Sequence, residues 1–269
     1  VAFQEPIGLV AGSGELPFHF ARVATKKGHS LCLFAIRGAA DPRLSSFADQ
    51  ICWASTGQVG SLIAFFKRNN IRRLAFHGKV QHGSFFQNIR LDWKGLALWS
   101  SAKDKSGPGL LTALGAGLTK EGFQILDGRF LMNGLLAPKG YLTRTRPSKG
   151  LLPLFKKGIL QAKALARLGI GQSIVVKDGA VAAVEAMEGT DEALKRAGKL
   201  AGKGVILIKT ASPRQDWRFD IPTLGVGTVQ NLVRINASGI VLEAGKSFLL
   251  EKEKMIRQAD SKKIFILAV

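Results

Sequence analysis

The stretch Ile7–Gly28, IGLVAGSGELPFHFARVATKKG, decides the fold of the first half of the chain. Its opening is an apolar run without polar alternation, the pattern of a strand buried on both faces. Gly8, Gly12 and Gly14 read as a glycine turn that closes this strand. A helix is expected next, from Leu16, with Pro17 in its first turn and Gly28 as its stop. HSLCLFAIRG, ADQICWAS and IRRLAFHGKV read as further strands, QVGSLIAFFKRNN and GPGLLTALGAGLTKEG as helices, and FQILDG as a closing strand. Strands alternating with helices on short loops predict an α/β domain with a parallel sheet covered on both faces.

The second half has a different rhythm. Ala137–Gly150, APKGYLTRTRPSKG, is rich in Pro, Gly and base and has no periodicity, so it reads as a linker. The expected division is residues 1–134 as the first domain, 135–150 as linker and 151–269 as the second domain. LFKKGILQAKALARLG is an amphipathic helix, and SIVVKDGAVAAVEA a hairpin turning at Asp178-Gly179. GTDEALKRAGKLAG and EKEKMIRQAD read as helices, with GVILIK, IVLEAG, SFLLEK and KKIFILAV as strands. This half is mixed α+β, and its strand order is not legible.

The 269 residues are ample for two cores. Hydrophobic residues make up 46% of the chain and charged residues 22%, which excludes a disordered protein. No apolar run approaches the roughly 20 residues that cross a bilayer. VAFQEPIGLVAGSG has no basic n-region, so no signal peptide is expected. Cys32 and Cys52 lie in strand-like runs and read as buried free thiols, in keeping with a cytoplasmic protein.

Charge is the unusual quantity. Lys and Arg number 39 against 19 Asp and Glu, a formal net charge of +20. No acid occurs between Gly128 and Lys177. A field of this sign attracts phosphates, nucleic acid or an anionic membrane surface, while solvated lysines are the plainer reading.

Against this background the acids stand out. In QDWRFDIPTLGVGT, Gln215–Thr228, the charges Asp216, Arg218 and Asp220 alternate with Trp217, Phe219 and Ile221. In an extended strand the three charges share one face, either as an ion-pair ladder or as a functional group of charges at a strand end. EAMEGTDEAL packs Glu185, Glu188, Asp191 and Glu192 together. Thr190 reads as an N-cap, with Asp191 and Glu192 facing the positive helix end. Glu185 and Glu188 precede that helix, and an acid pair there also suits Mg²⁺. The Gly12-Ser13-Gly14 turn is either an anion cradle or a tight structural turn. It departs from the dinucleotide fingerprint at Pro17, and the second strand ends in Arg37 where an acid would be expected. His19, His29, His77 and His82 show no metal-ligand spacing, and no nucleophile elbow or Walker loop occurs. Aromatic residues are not interleaved with base, so specific RNA readout is not expected.

Three motifs in order, IGLVAGSGELP, GQSIVVKDGAVAAVEAMEGTDEAL and KTASPRQDWRFDIPTLGVGTVQ, closely resemble the LpxI-type UDP-2,3-diacylglucosamine pyrophosphatases of lipid A biosynthesis. The resemblance runs through nearly the whole chain. It implies a Rossmann-like N-terminal domain and a distinct C-terminal domain. It also implies Mg²⁺-dependent hydrolysis of UDP-2,3-diacylglucosamine to 2,3-diacylglucosamine 1-phosphate (lipid X) and UMP.

Carried onto this chain, the resemblance makes Asp220 the residue essential to chemistry, with Asp216 and Arg218 beside it. Substrate contacts fall on Gly12, Ser13, Gly14, Leu16, Lys79, Gln172, Gly189, Thr190, Lys209, Gln215 and Thr228. Metal contacts fall on Asp220, Glu185, Glu188 and Asp191. The first domain departs from the pattern: SAKDKSGPGLL offers only Asp104 before its LL, and HGKVQHG lacks the usual Arg-Pro. The expected partners are the substrate and no specific nucleic acid. Peripheral contact with the anionic inner-membrane surface and a homodimer stand open beside them. An NADP-dependent oxidoreductase and a non-enzymatic nucleic-acid or anion binder are the alternative functions, but neither explains the C-terminal motifs.

Overall fold

The computed structural model describes residues 4–79 and 90–269, so His82 and the rest of VQHG lie outside the described residues. The chain folds as two compact units: residues 1–133 with 216–220, and residues 134–215 with 221–269.

The first unit is built on a five-stranded sheet. Its strands are β1 (Gln4–Ala11), β2 (His29–Ile36), β3 (Gln50–Ala54), β4 (Arg73–His77) and β5 (Gln124–Ile125), in the order β3-β2-β1-β4-β5. Every pairing is parallel. The continuous apolar runs have the expected cause: neighbours in one strand point to opposite faces, and both faces are covered. Leu9, Leu31 and Leu33 face Ala21 of α1 (Leu16–Lys26) and Leu44 of a short 3₁₀ helix, Pro42–Phe47. Val10, Phe34 and Leu74 face Leu62 and Phe66 of α2 (Val59–Arg68) and Leu118 of α4 (Gly107–Lys120). One helix, α3 (Trp93–Ser101), has no sequence signal strong enough to announce it; Asp92 caps it by accepting from the Gly95 amide.

Gly8 corrects the sequence reading. It lies inside β1 rather than at the turn, and a Cβ there would come within 2.5 Å of Leu74 and 2.7 Å of Phe66. Its role is close packing of the strand against α2 and β4. Cys32 and Cys52 are free thiols, as expected, but only Cys32 is buried, Cys52 being half-buried, and burial pushes the Cys32 thiol pKa up to about 11.

The second unit carries a mixed six-stranded sheet in the order β6-β13-β11-β9-β7-β8. Its strands are β6 (Gly140–Tyr141), β7 (Ser173–Lys177), β8 (Ala180–Val184), β9 (Ile206–Lys209), β11 (Gly239–Leu242) and β13 (Phe265–Ala268). β9, β11 and β13 are parallel, whereas β6, β7 and β8 join antiparallel. The β7–β8 hairpin turns at Asp178 and Gly179, with φ of 49° and 83°, the left-handed pair that a tight two-residue turn requires. β10 (Thr223–Leu224) and β12 (Phe248–Leu249) form a separate parallel pair. The helices are α5 (Leu152–Arg167), α6 (Thr190–Ala201), α7 (Val226–Arg234) and α8 (Lys252–Ser261). Leu194, Leu207, Val229, Leu232, Ile240 and Met255 meet in one core; Phe155, Ile159, Ile174, Ile208 and Phe265 form another under α5.

His77 ends β4 in an apolar setting. It is fully enclosed beside the Phe20 ring at 4.6 Å, and its Nε2 has no hydrogen-bond partner. Burial pushes its pKa down to about 3. The unfolded chain therefore takes up a proton below about pH 6.5 that the folded chain refuses, and stability falls as pH falls from there toward about 3. Between pH 7 and pH 5 the expected loss is about 2 kcal/mol. Urea unfolding at the two pH values checks this, and His77→Leu should flatten the dependence. An equal slope in both proteins would contradict it.

Candidate functional site

At the carboxyl ends of the first sheet the strand order reverses between β1 and β4, the position where open α/β sheets leave a crevice for ligands. The turns after these two strands meet there. Ser13 donates its amide to the Lys79 carbonyl at 2.8 Å, Lys79 returns its amide to Ser13 at 3.0 Å, and Ser13 Oγ also donates to Lys79. The close approach falls on Gly12, where a Cβ would sit 2.6 Å from the Lys79 carbonyl oxygen. Gly14 has a φ of 96° and nothing within 4 Å of its Cβ position, so its demand is conformational. Leu16 begins α1, and Glu15 at its N-cap makes no side-chain hydrogen bond to the helix. The structure thus brings together Gly12, Ser13, Gly14, Leu16 and Lys79.

In the second unit the EAMEGTD stretch runs from the end of β8 into the start of α6. Thr190 is not the cap: Gly189, with a φ of 84°, occupies that place and Thr190 is the first helical residue. Thr190 Oγ1 donates instead to Glu185 Oε1 at 2.6 Å. Lys209, at the end of β9 and 8% exposed, donates to Ser173 Oγ at 3.0 Å and to Thr190 Oγ1 at 3.1 Å. Its ammonium stands 3.7 Å from Glu185 Oε2. Burial alone would raise the Glu185 pKa, but the Lys209 charge and nearby donors outweigh it and hold the carboxyl below its usual range. Gln172 closes the neighbourhood, its carbonyl accepting from the Thr210 amide. Glu185, Thr190, Lys209 and Ser173 therefore form one polar knot at the end of β9.

Glu188 pairs with Arg196 along the start of α6, and Asp191 is exposed in its first turn. Among the described residues no three His, Cys, Asp or Glu side chains converge as a metal-binding group. Of the expected ligands, Glu185 faces Lys209, Glu188 pairs with Arg196, and Asp191 is an exposed acid in the first turn of α6. Asp220 does fit the chemistry of a hard cation, as an exposed oxygen donor, and Mg²⁺ is commonly held by one or two carboxylates with substrate phosphates and water.

Gln215–Pro222 is not a strand. The amides of Phe219 and Asp220 both return to the Asp216 carbonyl at 3.2 Å, closing a turn. Asp216 does not alternate with Arg218 along an edge but folds around it. Its Oδ1 accepts from the Arg218 amide at 3.1 Å and from Nε at 2.9 Å, and its Oδ2 accepts from Nη2 at 2.7 Å. The guanidinium holds the Asp216 carboxyl below the usual carboxylate range. Asp220 stands exposed at the end of the turn, outside that pair. Gln215 closes its own loop by accepting from the Ser212 amide, and Thr228 lies in the first turn of α7, a helix the sequence reading missed.

The same fork occurs twice more. Arg43 closes on Asp41 and Arg129 on Asp127, each with amide, Nε and Nη2 on one carboxylate. All three are Asp-x-Arg, a three-residue signal present in the sequence and not read there.

Parallel β1 and β4 with their joined turns, together with a second mixed-sheet unit, define a two-unit α/β protein with the crevice of a doubly wound sheet. Residues 6–135 match the LpxI N-terminal domain and residues 138–267 the LpxI C-terminal domain. The chain is 32% identical over 276 aligned positions to the UDP-2,3-diacylglucosamine pyrophosphatase LpxI of Caulobacter vibrioides, covering 98% of this chain and 97% of that protein. The chain belongs to the LpxI family. Among solved structures it is similar to N5-carboxyaminoimidazole synthetase from Staphylococcus aureus, with 14% identity and a TM-score of 0.28 over 77% of this chain. It spans 53% of that structure's length, and 41% of the biotin carboxylase subunit of pyruvate carboxylase, where identity is 14% and the TM-score 0.23.

The Glu185–Lys209 knot makes a stability prediction. Removing one partner of a buried pair leaves the other uncompensated, at a cost of about 3 kcal/mol or more. Glu185→Ala should lose that much in denaturant unfolding. Glu185→Leu with Lys209→Met should recover most of it, because replacing both charges removes the desolvation cost as well. A single variant within about 0.5 kcal/mol of the parent would show that the pair does not organise this end of the sheet.

Proposed function

We propose that this chain hydrolyses the diphosphate of UDP-2,3-diacylglucosamine to 2,3-diacylglucosamine 1-phosphate and UMP, with Asp220 as the essential carboxylate and Mg²⁺ as cofactor. The observation that carries the reading is the 32% identity to a pyrophosphatase of that name across 98% of the chain. The exposed Asp220, held at the end of a locally braced turn, supports it.

A diphosphate resists attack because its oxygens repel an incoming hydroxide. Asp220 would hold Mg²⁺ together with the substrate's own phosphate oxygens. Bound there, the ion supplies charge neutralisation and a more acidic water. Arg218 offers fixed positive charge in the same turn, although Asp216 already occupies its Nε and Nη2. The first turn of α1 and the Gly14 backbone provide a place where amide donors can meet phosphate. A diacylated substrate resides in a membrane, and α5 presents exposed Lys156, Lys157 and Arg167 beside exposed Leu160 and Leu168. That face suits peripheral contact with an anionic lipid surface. Among the described residues no helix is long and apolar enough to cross a membrane.

Purified protein with Mg²⁺ should convert UDP-2,3-diacylglucosamine to UMP and lipid X, resolved by mass, and excess EDTA should stop it. Release of UDP, or undiminished turnover in EDTA, would contradict the proposal. Asp220→Ala should lower turnover by about a hundredfold or more, the scale for one well-placed catalytic group. Its thermal stability should barely move, because an exposed carboxylate contributes little to packing. Near-parental turnover in that variant would remove Asp220 from the chemistry.

A further inference from the structure

We infer that Arg129, with the amide of Gly128 and the bare helix surface at Gly115, forms a positioning clasp for Asp216–Asp220 and thereby fixes where Asp220 stands. The inference rests on the reading of Asp220 as the essential carboxylate. Asp216–Asp220 packs with the first unit, while the residues on either side, up to Gln215 and from Ile221, belong to the second. A five-residue excursion needs specific contacts to hold it, and the first unit supplies them at both of its aromatic residues.

At Trp217 the backbone carbonyl accepts from the Gly128 amide at 2.7 Å. The Arg129 guanidinium lies over the Trp217 ring, 4.5 Å from its centroid. Arg129 is itself immobilised, because Asp127 receives its Nε at 2.9 Å and its Nη2 at 2.5 Å. A cation fixed over an indole face is attracted by the ring quadrupole. At Phe219 the ring meets Phe76 of β4 edge-on, with centroids 5.0 Å apart. It also lies against α4 where that helix has no side chain: a Cβ at Gly115 would fall 2.9 Å from Phe219 Cζ.

The two ends of the clasp thus hold Trp217 and Phe219, and the turn closed on the Asp216 carbonyl carries this placement to Asp220. None of Arg129, Gly128 and Gly115 is required to touch substrate; they act through the turn. Small displacements of a reacting group cost large factors in rate, so loosening the clasp lowers turnover more than binding.

The test uses the full-length enzyme, with kcat and KM for UDP-2,3-diacylglucosamine measured separately and the thermal midpoint recorded. Arg129→Ala should lower kcat about tenfold or more while KM stays within about twofold. Arg129→Lys keeps a cation for the ring and should recover part of the loss. Trp217→Ala should show a loss like that of Arg129→Ala, and the double variant no more than either alone. Gly115→Ala, which alters no charge, should also lower kcat by displacing Phe219.

Parental kcat in Arg129→Ala, or losses that multiply in the double variant, would overturn the clasp. Should Arg129→Ala not fold, Gly115→Ala and Trp217→Phe decide: parental kcat in Gly115→Ala, or no aromatic rescue by Trp217→Phe relative to Trp217→Ala, overturns it. Asp220→Ala separates the two levels. An inactive Asp220→Ala beside a fully active Arg129→Ala rejects the clasp alone, whereas an active Asp220→Ala rejects the functional reading beneath it.

Discussion

The hydrogen bond from the Gly128 amide to the Trp217 carbonyl, with Arg129 stacked on the same residue, is the contact on which the candidate chemistry depends. It ties a turn embedded in the C-terminal family sequence to the loop after β5 of the first unit. Trp217 and Asp220 lie in one turn, closed by two amides on the Asp216 carbonyl. What fixes Trp217 therefore fixes the carboxylate three residues on.

The scarcity of acid in a chain of formal charge +20 acquires a physical meaning from the same geometry. Acids here are mostly organisers of cations. Asp41, Asp127 and Asp216 each fold an arginine back onto a turn, Glu185 answers a buried lysine, and Glu243 pairs with Lys163. Such forks order the guanidinium at little entropic cost, because the amide two residues on and the planar donors converge on one carboxylate. Asp220 stands exposed at the end of its turn.

Legibility in the sequence follows the strength of local signals. Ile7–Gly28 is readable because strand, turn and helix are each set by neighbouring residues: an apolar run, glycines, Pro17 and a left-handed Gly28. The β7–β8 hairpin is readable for the same reason at Asp178-Gly179. The order of the second sheet is not, because β9, β11 and β13 pair across helices and no local feature records which neighbour each takes. Gln215–Pro222 misleads because its charges repeat every second residue, as on a strand edge. Side chain-to-backbone bonding by Asp216 competes with extended structure and wins. Residue type marks Thr190 as a cap, yet the buried Glu185 carboxylate takes its hydroxyl and leaves the cap to Gly189. Of the candidate site, the glycine turn is visible in sequence, while its pairing with Lys79 and the clasp are not, since Ser13 and Lys79, like Arg129 and Trp217, are distant in the chain.

Amide hydrogen exchange at Gly128 tests the central claim most directly. Gly128 lies in a turn outside the sheet ladder, and its amide donates to the Trp217 carbonyl. The account predicts slow exchange in the parent protein and a marked loss of protection in Trp217→Ala, with β1 and β4 amides unchanged. Exchange at the rate of an open loop in the parent, while those strands stay protected, would contradict it.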